Sequence, residues 1–426
     1  MRIAIVNWSS KRVGGVETYL NSVMPELAKL GHSLAFWHEV DRPADREPIN
    51  TPSGIPVWCV ENLGAVAALK ALRDWQPDLI YSHGLLQPKL EAATLEIAPA
   101  VFFAHNYYGT CISGDKTFKS PVVRPCDRRF GPKCLLHYFP HRCGGLSPLT
   151  MLKLYSLQGK RLELLPGYKA IVTNSEHMRR EYLKHGIERE RIHDLLYDVR
   201  SGWRNVPPIE DLAEFLTNSK WRRNGAAVEN SGNGRHNIEW RLLFLGRMDY
   251  LKGGSVFLDA LPQINAALKT PLRVTFVGDG PQRRIWERKA NRVQARHPDV
   301  RIQFTGWLKG APLDSSMTDC DLLVLPSLWP EPFGIVGPEM GLRGVPVAAF
   351  AVGGIPNWLI DGFNGHIASG DPPIASGLAE AVIKCLSDPA THARLAQGAT
   401  EMARRFNMQT HVNALLNVFE RVISVI

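Results

Sequence analysis

Short apolar, β-rich runs alternate with stretches of helical length along most of this chain, and that alternation is what most restricts its fold. It is the signature of parallel α/β sheets. In the first half the runs are RIAIVN, SLAFWHE, DLIYSHG, AVFFAH, KAIVTNS and RIHDLLYD. In the second half they are RLLFLGR, RVTFVGDG, RIQFTGW, DLLVLPS and VPVAAFA. Helical patterns lie between them. Val16, Leu20, Val23, Leu27 and Leu30 recur at helical spacing, and Gly31 stops that helix. Ser175 stands where an N-cap belongs, ahead of EHMRREYLKHG. SVFLDALPQINAAL reads as another helix, and two more, roughly 391–405 and 409–424, close the chain. No repeat of about 20 to 50 residues is visible.

The rhythm breaks over residues 199–240, where Pro207-Pro208 and the polar run NGAAVENSGNGRHN read as an interdomain connection or surface insertion. A chain of 426 residues is too long for one ordinary domain and comfortable for two. The expected division is an N-terminal Rossmann-like domain over 1–200, a connection over 201–240, and a second Rossmann-like domain over 241–400. The last helix, within 401–426, is expected to pack back on the first domain. The expected fold class is α/β, with two doubly wound Rossmann-like domains facing a cleft at the carboxyl ends of their strands.

Composition narrows the function. A hydrophobic fraction of 45% argues against global disorder. No run approaches the ~18–20 apolar residues of a membrane span. The apolar start in MRIAIVNWSSKR is too short for a signal peptide, and no small-residue cleavage site follows. Seven cysteines, an odd count, argue against a complete disulfide framework. A cytoplasmic location is the expectation. The net charge of +9 suits phosphorylated small molecules, anionic lipids or acidic glycans. Nucleic acid is not expected, because no nucleic-acid module is legible.

Four segments carry chemistry. In EPFGIVGPE, Glu331 and Glu339 bracket seven residues after the buried strand DLLVLPS. Gly334 to Gly337 open a helix there, and free N–H groups at a helix start hold an oxyanion or phosphate. Glu339 falls in the early turns, where a carboxylate can accept two ribose hydroxyls. In GRMDYLKG, Arg247 follows the strand RLLFL and Lys252 begins the next helix. Two cations at the mouth of a parallel sheet suit a diphosphate. Gly14 and Gly15 lie in the loop after the first strand, where glycine lets backbone approach a ligand closely. That loop lacks the GxGxxG of a dinucleotide fingerprint. His105 follows AVFFA and so also stands at a strand's carboxyl end.

Together these residues resemble glycosyltransferase family 4, the retaining enzymes of the GT-B fold. The matching pieces are GGVE at 14–17, FFAH at 102–105, TNSEHM at 173–178, GRMDYLKG at 246–253, VGDGP at 277–281, FTGW at 304–307, EPFGIVGPE at 331–339, GVPVAAFAVGGIP at 344–356 and DGFNG at 361–365. The resemblance implies that the C-terminal half binds a nucleoside-diphosphate sugar. By that likeness Arg247 and Lys252 hold the diphosphate and Glu339 the ribose. Glu331 and the backbone of Phe333, Gly334 and Ile335 face sugar and phosphate. The backbone near Trp307 and Leu308 meets the base, His105 contacts the transferred sugar, and Gly15, beside Gly14, approaches the phosphate. The implied reaction moves a hexose-type sugar to an acceptor hydroxyl with retention. No cofactor is required, and no DxD pattern follows a strand. Two departures stand out. YDVRSGW replaces the family's proline-asparagine-glycine turn, and Asn357 stands where Glu is frequent. Other readings of the same residues are a nucleotide-sugar epimerase and a non-catalytic nucleotide-sugar-binding protein. Intact Arg247, Lys252, Glu331 and Glu339 argue against the latter. A phosphorylase would need a lysine-linked pyridoxal motif, and none is found.

Residues 111–143 fit no such pattern. Cys111, Cys126, Cys134 and Cys143 gather there with His137 and His141 nearby. Their separations exceed the usual metal-ligand spacing, so scattered thiols are favoured over a structural zinc site. The segment is basic, with Lys116, Lys119, Arg124, Arg128, Arg129, Lys133 and Arg142 interleaved with Phe118, Phe130, Tyr138 and Phe139. It reads either as a solvated loop or as a surface for a glycan or lipid-linked acceptor, or for an anionic membrane.

Overall fold

The apolar run at the N-terminus forms β1 (Arg2–Ser9), whose residues Ile3 to Val6 are fully buried between neighbours on both sides. After it come β2 (Ser33–Val40), β3 (Val57–Cys59), β4 (Leu79–Ser82) and β5 (Ala100–Phe103). A small antiparallel hairpin, β6 (Thr117–Phe118) and β7 (Arg124–Pro125), precedes β8 (Ala170–Thr173) and β9 (Ile192–Asp194). The strands outside the hairpin pair in parallel in the order β3-β2-β1-β4-β5-β8-β9. The order reverses between β1 and β4, as in a doubly wound sheet. This computed structural model describes residues 1–195 and 239–424. YDVRSGW and nearly all of the connection expected over 201–240 lie outside the described residues.

The described chain divides into two units. The first comprises Met1–Lys116, Asp127–Arg204 and Phe406–Ile426. In it the helix Gly15–Lys29 buries Leu20, Val23 and Leu27 as their spacing predicts, and Tyr19 and Met24 with them. Leu30 is exposed, because it caps that helix and does not extend its inner stripe. Ser175 caps the helix Glu176–Lys184, its hydroxyl accepting from Met178 N–H at 3.2 Å. The helix Met408–Ser424 lies against this sheet, where the Phe419 ring meets Tyr81 at 5.0 Å.

The second unit comprises Thr117–Cys126 and Asn205–Arg405. Its sheet holds β10 (Trp240–Leu245), β11 (Leu272–Val277), β12 (Val300–Gly306), β13 (Leu322–Leu325), β14 (Val347–Phe350) and β15 (Gly365–Ala368). All are parallel, in the order β12-β11-β10-β13-β14-β15. The expected pair of doubly wound α/β sheets is therefore present. Two edge strands, β3 and β15, were not legible as apolar runs, because a short strand paired on one side needs little apolar burial.

The segment after β5 is more ordered than a solvated loop. Helices Lys133–Tyr138 and Pro148–Leu164 pack around a small core of Ile112, Phe130 and Tyr138. Phe130 and Tyr138 are thus interior, not surface aromatics. Lys116 also departs from the basic-surface reading. It is buried with its Nζ 2.6 Å from Glu181 Oε1, which neutralises it inside the unit. Arg129 is partly used as well, donating to the His185 carbonyl at 3.5 Å. Among the described residues no helix is long and apolar enough to cross a membrane.

Candidate functional site

Beyond β10 the chain turns at Gly246 and meets the loop that follows β11. Gly246 N–H donates to Val277 O at 3.0 Å, and Met248 N–H donates to Asp279 O at 2.8 Å. Gln282 N–H returns to Met248 O at 3.0 Å, so the two loops are laced together. The glycines of VGDGP make this lacing possible. A Cβ on Gly278 would stand 2.0 Å from Gly246 O, and both Gly278 and Gly280 have positive φ. Arg247 stands exposed on this platform, and its side chain has no hydrogen bond or ion pair with other described residues.

Asp249 next caps one tight turn, Tyr250–Lys252, accepting from Leu251 N–H at 3.2 Å. Lys252 ends that turn and does not begin the following helix, which starts at Gly254. Between them Gly253 is left-handed at φ +72, and a Cβ there would lie 1.7 Å from Pro326 O. The turn is therefore seated on the chain leaving β13, where Leu328 N–H donates to Leu251 O at 2.8 Å. There Lys252 Nζ lies 2.6 Å from Glu331 Oε1 and 5.3 Å from the Trp329 ring centre. Ser327 Oγ donates to the same carboxylate oxygen at 2.6 Å. Glu331 Oε2 has no hydrogen-bond partner among the described residues, so it can accept a ligand hydroxyl. The Gly353-Gly354 turn holds the Glu331 backbone, with Gly354 N–H donating to Glu331 O at 2.6 Å. A Cβ on Gly353 would come within 2.1 Å of that oxygen.

The helix announced by Gly334 to Gly337 is short, Val336–Gly341. Gly334 has φ +82, and Trp358 closes over the turn. The indole Nε1 donates to Phe333 O at 2.7 Å, and a Cβ on Gly337 would stand 1.9 Å from its ring. The Phe333 carbonyl and side chain therefore serve the interior, while Gly334, Ile335 and Val336 are only half-buried. Glu339 lies in the first turn and is largely buried. One turn on, Arg343 donates to the Glu339 carbonyl at 3.3 Å and to Asp314 Oδ1 at 3.0 Å. Burial holds the Arg343 guanidinium below its usual range, against the pull of Asp314 and Glu339. Leu308 is half-buried in the loop after β12, next to exposed Trp307. Arg247, Lys252, Glu331, Glu339 and Leu308 thus all follow carboxyl ends of strands in one parallel sheet, the edge where such sheets bind ligands. Lys252 and Glu331 are in direct contact.

In the first unit the predicted residues also follow strand ends. Glu17 is buried and organises the loop after β1, accepting from Gly14 N–H at 2.9 Å and from Trp8 Nε1 at 2.8 Å. Gly14 and Gly15 are exposed, and neither has positive φ. A Cβ on Gly15 would meet nothing within 4 Å, and one on Gly14 only Glu17 Oε2 at 3.8 Å. The unit's own packing does not require glycine at either place. On the same edge of the sheet, a cavity of about 440 Å³ is lined by Lys11, His38, Asp41 and Cys59 among others.

His105 is not alone. Its Nε2 lies 2.8 Å from His83 Nδ1, so one imidazole donates to the other. Phe103 packs on His105 at 4.1 Å between ring centres, and Tyr19 lies 5.5 Å away. The Tyr19 hydroxyl bonds Tyr81 and His411, each at 2.8 Å. Burial pushes His83 down to about 3. His105 is held well below its ordinary value, first by burial and then by His83 and His411. Both rings are therefore neutral near pH 7. Sequence reasoning singled out His105 and missed His83. The available signal was position, since His83 comes next to last in the run DLIYSHG, just past β4, as His105 ends AVFFAH, and β4 pairs with β5.

The four clustered cysteines do not converge. Among the described residues no three His, Cys, Asp or Glu side chains are grouped to hold a metal ion. Cys134 and Cys143 line the small apolar core, and Cys111 Sγ accepts from Lys116 N–H at 3.3 Å. The residues present do not fit a structural zinc.

Known families match this architecture in two pieces. Residues 13–194 match the model of Glycosyltransferase Family 4, and residues 230–402 match that of Glycosyl transferases group 1. The chain belongs to this family of glycosyltransferases. A D-inositol 3-phosphate glycosyltransferase of Xylanimonas cellulosilytica is 32% identical over 188 residues, which is 42% of this chain. The chain spans 41% of that curated relative's length. Two solved structures share the whole fold. A sucrose-phosphate synthase from Thermosynechococcus elongatus covers 100% of both chains with a TM-score of 0.67 at 18% identity. Anabaena HepE in complex with UDP covers 99% of this chain and 100% of its own, with a TM-score of 0.63 at 18% identity. These are GT-B proteins, and at such identity the likeness is one of fold.

Proposed function

We propose that the protein is a retaining glycosyltransferase that moves a hexose-type sugar from a nucleoside-diphosphate sugar to an acceptor hydroxyl. The observation that carries this reading is Lys252 paired with buried Glu331 at the carboxyl edge of a parallel sheet, with Arg247 exposed on the neighbouring loop. A diphosphate there draws Lys252 toward itself, and Glu331 is released to accept a sugar hydroxyl. Glu339 takes the ribose hydroxyls, and the backbone at Leu308 meets the base. The N–H groups of Phe333, Gly334 and Ile335 face phosphate and sugar. Gly14 and Gly15 admit the phosphate closely, which supplies the reason for glycine that packing does not. His105, oriented by His83, contacts the transferred sugar.

Breaking the sugar–phosphate bond builds negative charge on the leaving diphosphate, which Arg247 and Lys252 stabilise. That diphosphate then accepts the proton of the incoming hydroxyl on the same face, which gives retention without an enzyme base. In this reading the reaction requires no cofactor. The acceptor is a glycan or a lipid-linked acceptor, met at an anionic membrane surface. The bound UDP of the HepE structure supports a nucleoside-diphosphate donor. Thermal shifts against UDP-, GDP- and ADP-sugars test the reading, since a ligand at a hundred times its Kd stabilises by about 2.7 kcal/mol. If no nucleotide sugar shifts the transition at millimolar concentration, the reading fails.

A further inference from the structure

Residues 128–162 hold seven Lys or Arg and no Asp or Glu. They include the helices Lys133–Tyr138 and Pro148–Leu164, whose inner faces supply Tyr138, Met151, Leu154 and Tyr155 to the small core. The outer faces are apolar too. Leu136 on the first helix and Leu149 and Leu152 on the second are 75%, 79% and 51% exposed, and Leu146, just before the second helix, is 81% exposed. A single exposed leucine is ordinary, but several within so short a stretch mark a contact surface. None of the four belongs to the small core, so the unit's folding does not explain their exposure. Lys133, Arg142, Lys153 and Lys160 are exposed in the same stretch.

We infer that the outer faces of these two helices dock on an anionic lipid bilayer. Leucines set among lysines suit a headgroup boundary, where apolar side chains enter and cations meet lipid phosphates. A protein partner would favour aromatic anchors and exclude lysine from the contact. Charge therefore selects the occupant. The same arrangement gives the lipid-surface part of the proposed function, on which it rests, a specific location.

The test is flotation with phosphatidylglycerol–phosphatidylcholine vesicles and with pure phosphatidylcholine vesicles. It compares the wild-type chain, Leu149→Ser/Leu152→Ser and Lys153→Glu/Lys160→Glu, with light scattering for oligomeric state. The wild type binds the anionic vesicles and binds the neutral ones weakly. The leucine variant partitions at least about tenfold less at an unchanged thermal midpoint. The charge variant loses binding at low salt, and the difference fades as salt screens it. Variants that bind like the wild type overturn the assignment of this surface and leave membrane binding to another face. A wild type that ignores anionic vesicles overturns both. Unchanged vesicle binding with an altered oligomeric state makes the leucines a self-association face and also overturns the proposal. Loss of nucleotide binding with vesicle binding intact counts against sugar transfer, not against this surface.

Discussion

Replacing Lys252 by Met tests the centre of the proposed site through stability and binding together. Lys252 Nζ and Glu331 Oε1 are 2.6 Å apart, with the lysine side chain 30% exposed and the glutamate 7%. At an effective dielectric constant of about 20, two charges at that separation attract by roughly 6 kcal/mol before any desolvation is counted. The exposed lysine is screened, and burying the carboxylate opposes the gain, so about 1 to 2 kcal/mol of coupling is expected. Lys252→Met also leaves a buried carboxylate with the Ser327 hydroxyl, so its total cost is larger, about 2 to 3 kcal/mol. Glu331→Gln keeps an oxygen for Ser327 and should cost about 1 kcal/mol. Lys252→Met/Glu331→Gln should then be more stable than the sum of the single variants implies. Denaturant unfolding followed by circular dichroism gives the cycle, and isothermal titration with bare UDP, GDP and ADP gives the binding side. Lys252→Met should weaken the diphosphate at least about tenfold, while Glu331→Gln, which releases the lysine, should not. A coupling below about 0.5 kcal/mol would show that the pair is not a unit. Equal nucleotide affinity in the wild type and Lys252→Met would remove the lysine from the diphosphate site.

Arg247→Ala, with no side-chain partner to lose among the described residues, should fold normally yet reduce the maximal rate at saturating donor by roughly 2 to 4 kcal/mol of transition-state stabilisation. A loss confined to donor affinity would make Arg247 a binding handle only. Gly15→Ala places its methyl in open space, so unfolding should show stability unchanged or raised, by up to about 1 kcal/mol. Donor turnover should nevertheless fall, and normal turnover would mean that no ligand approaches there. Stability should also depend on pH through His83, which burial lowers from 6.5 to about 3. Between those values the unfolded chain binds a proton that the folded chain refuses. Stability is therefore full above about pH 6.5 and declines on acidification, by up to about 1.4 kcal/mol per pH unit for this residue. His83→Gln should give a shallower decline in denaturant midpoints measured between pH 7.5 and pH 4.5, and an unchanged slope would contradict the neutral, buried assignment.

Local pattern carried much of this protein. Apolar runs at the spacing of strands and helices predict two parallel sheets, because periodicity records which face of each element is buried. The motif residues were legible for the same reason: Arg247, Glu331 and His105 each follow an apolar run, so each had to stand near a strand's carboxyl end. VGDGP counted in the sequence only as a piece of the family likeness, and the close approach of Gly278 to Gly246 and of Gly280 to Met248 came from the folded chain.

What the pattern could not hold were the pairings between distant segments. Lys116 reads as one more surface cation until folding sets it against Glu181 inside the first unit. His83 gains meaning only when β4 lies beside β5 and its ring reaches His105. Lys252 and Glu331, 79 positions apart, are brought together by the order β10-β13 in the sheet and by Gly253 seated on Pro326. Tyr19 and His411, 392 residues apart, meet because the final helix returns to the first sheet. The sequence by itself determined which faces are apolar and which residues end strands, since both follow from neighbours a few positions away. Only the tertiary structure decided which of those ends meet and which charges are neutralised, because strand order and loop contact depend on the whole chain folding at once.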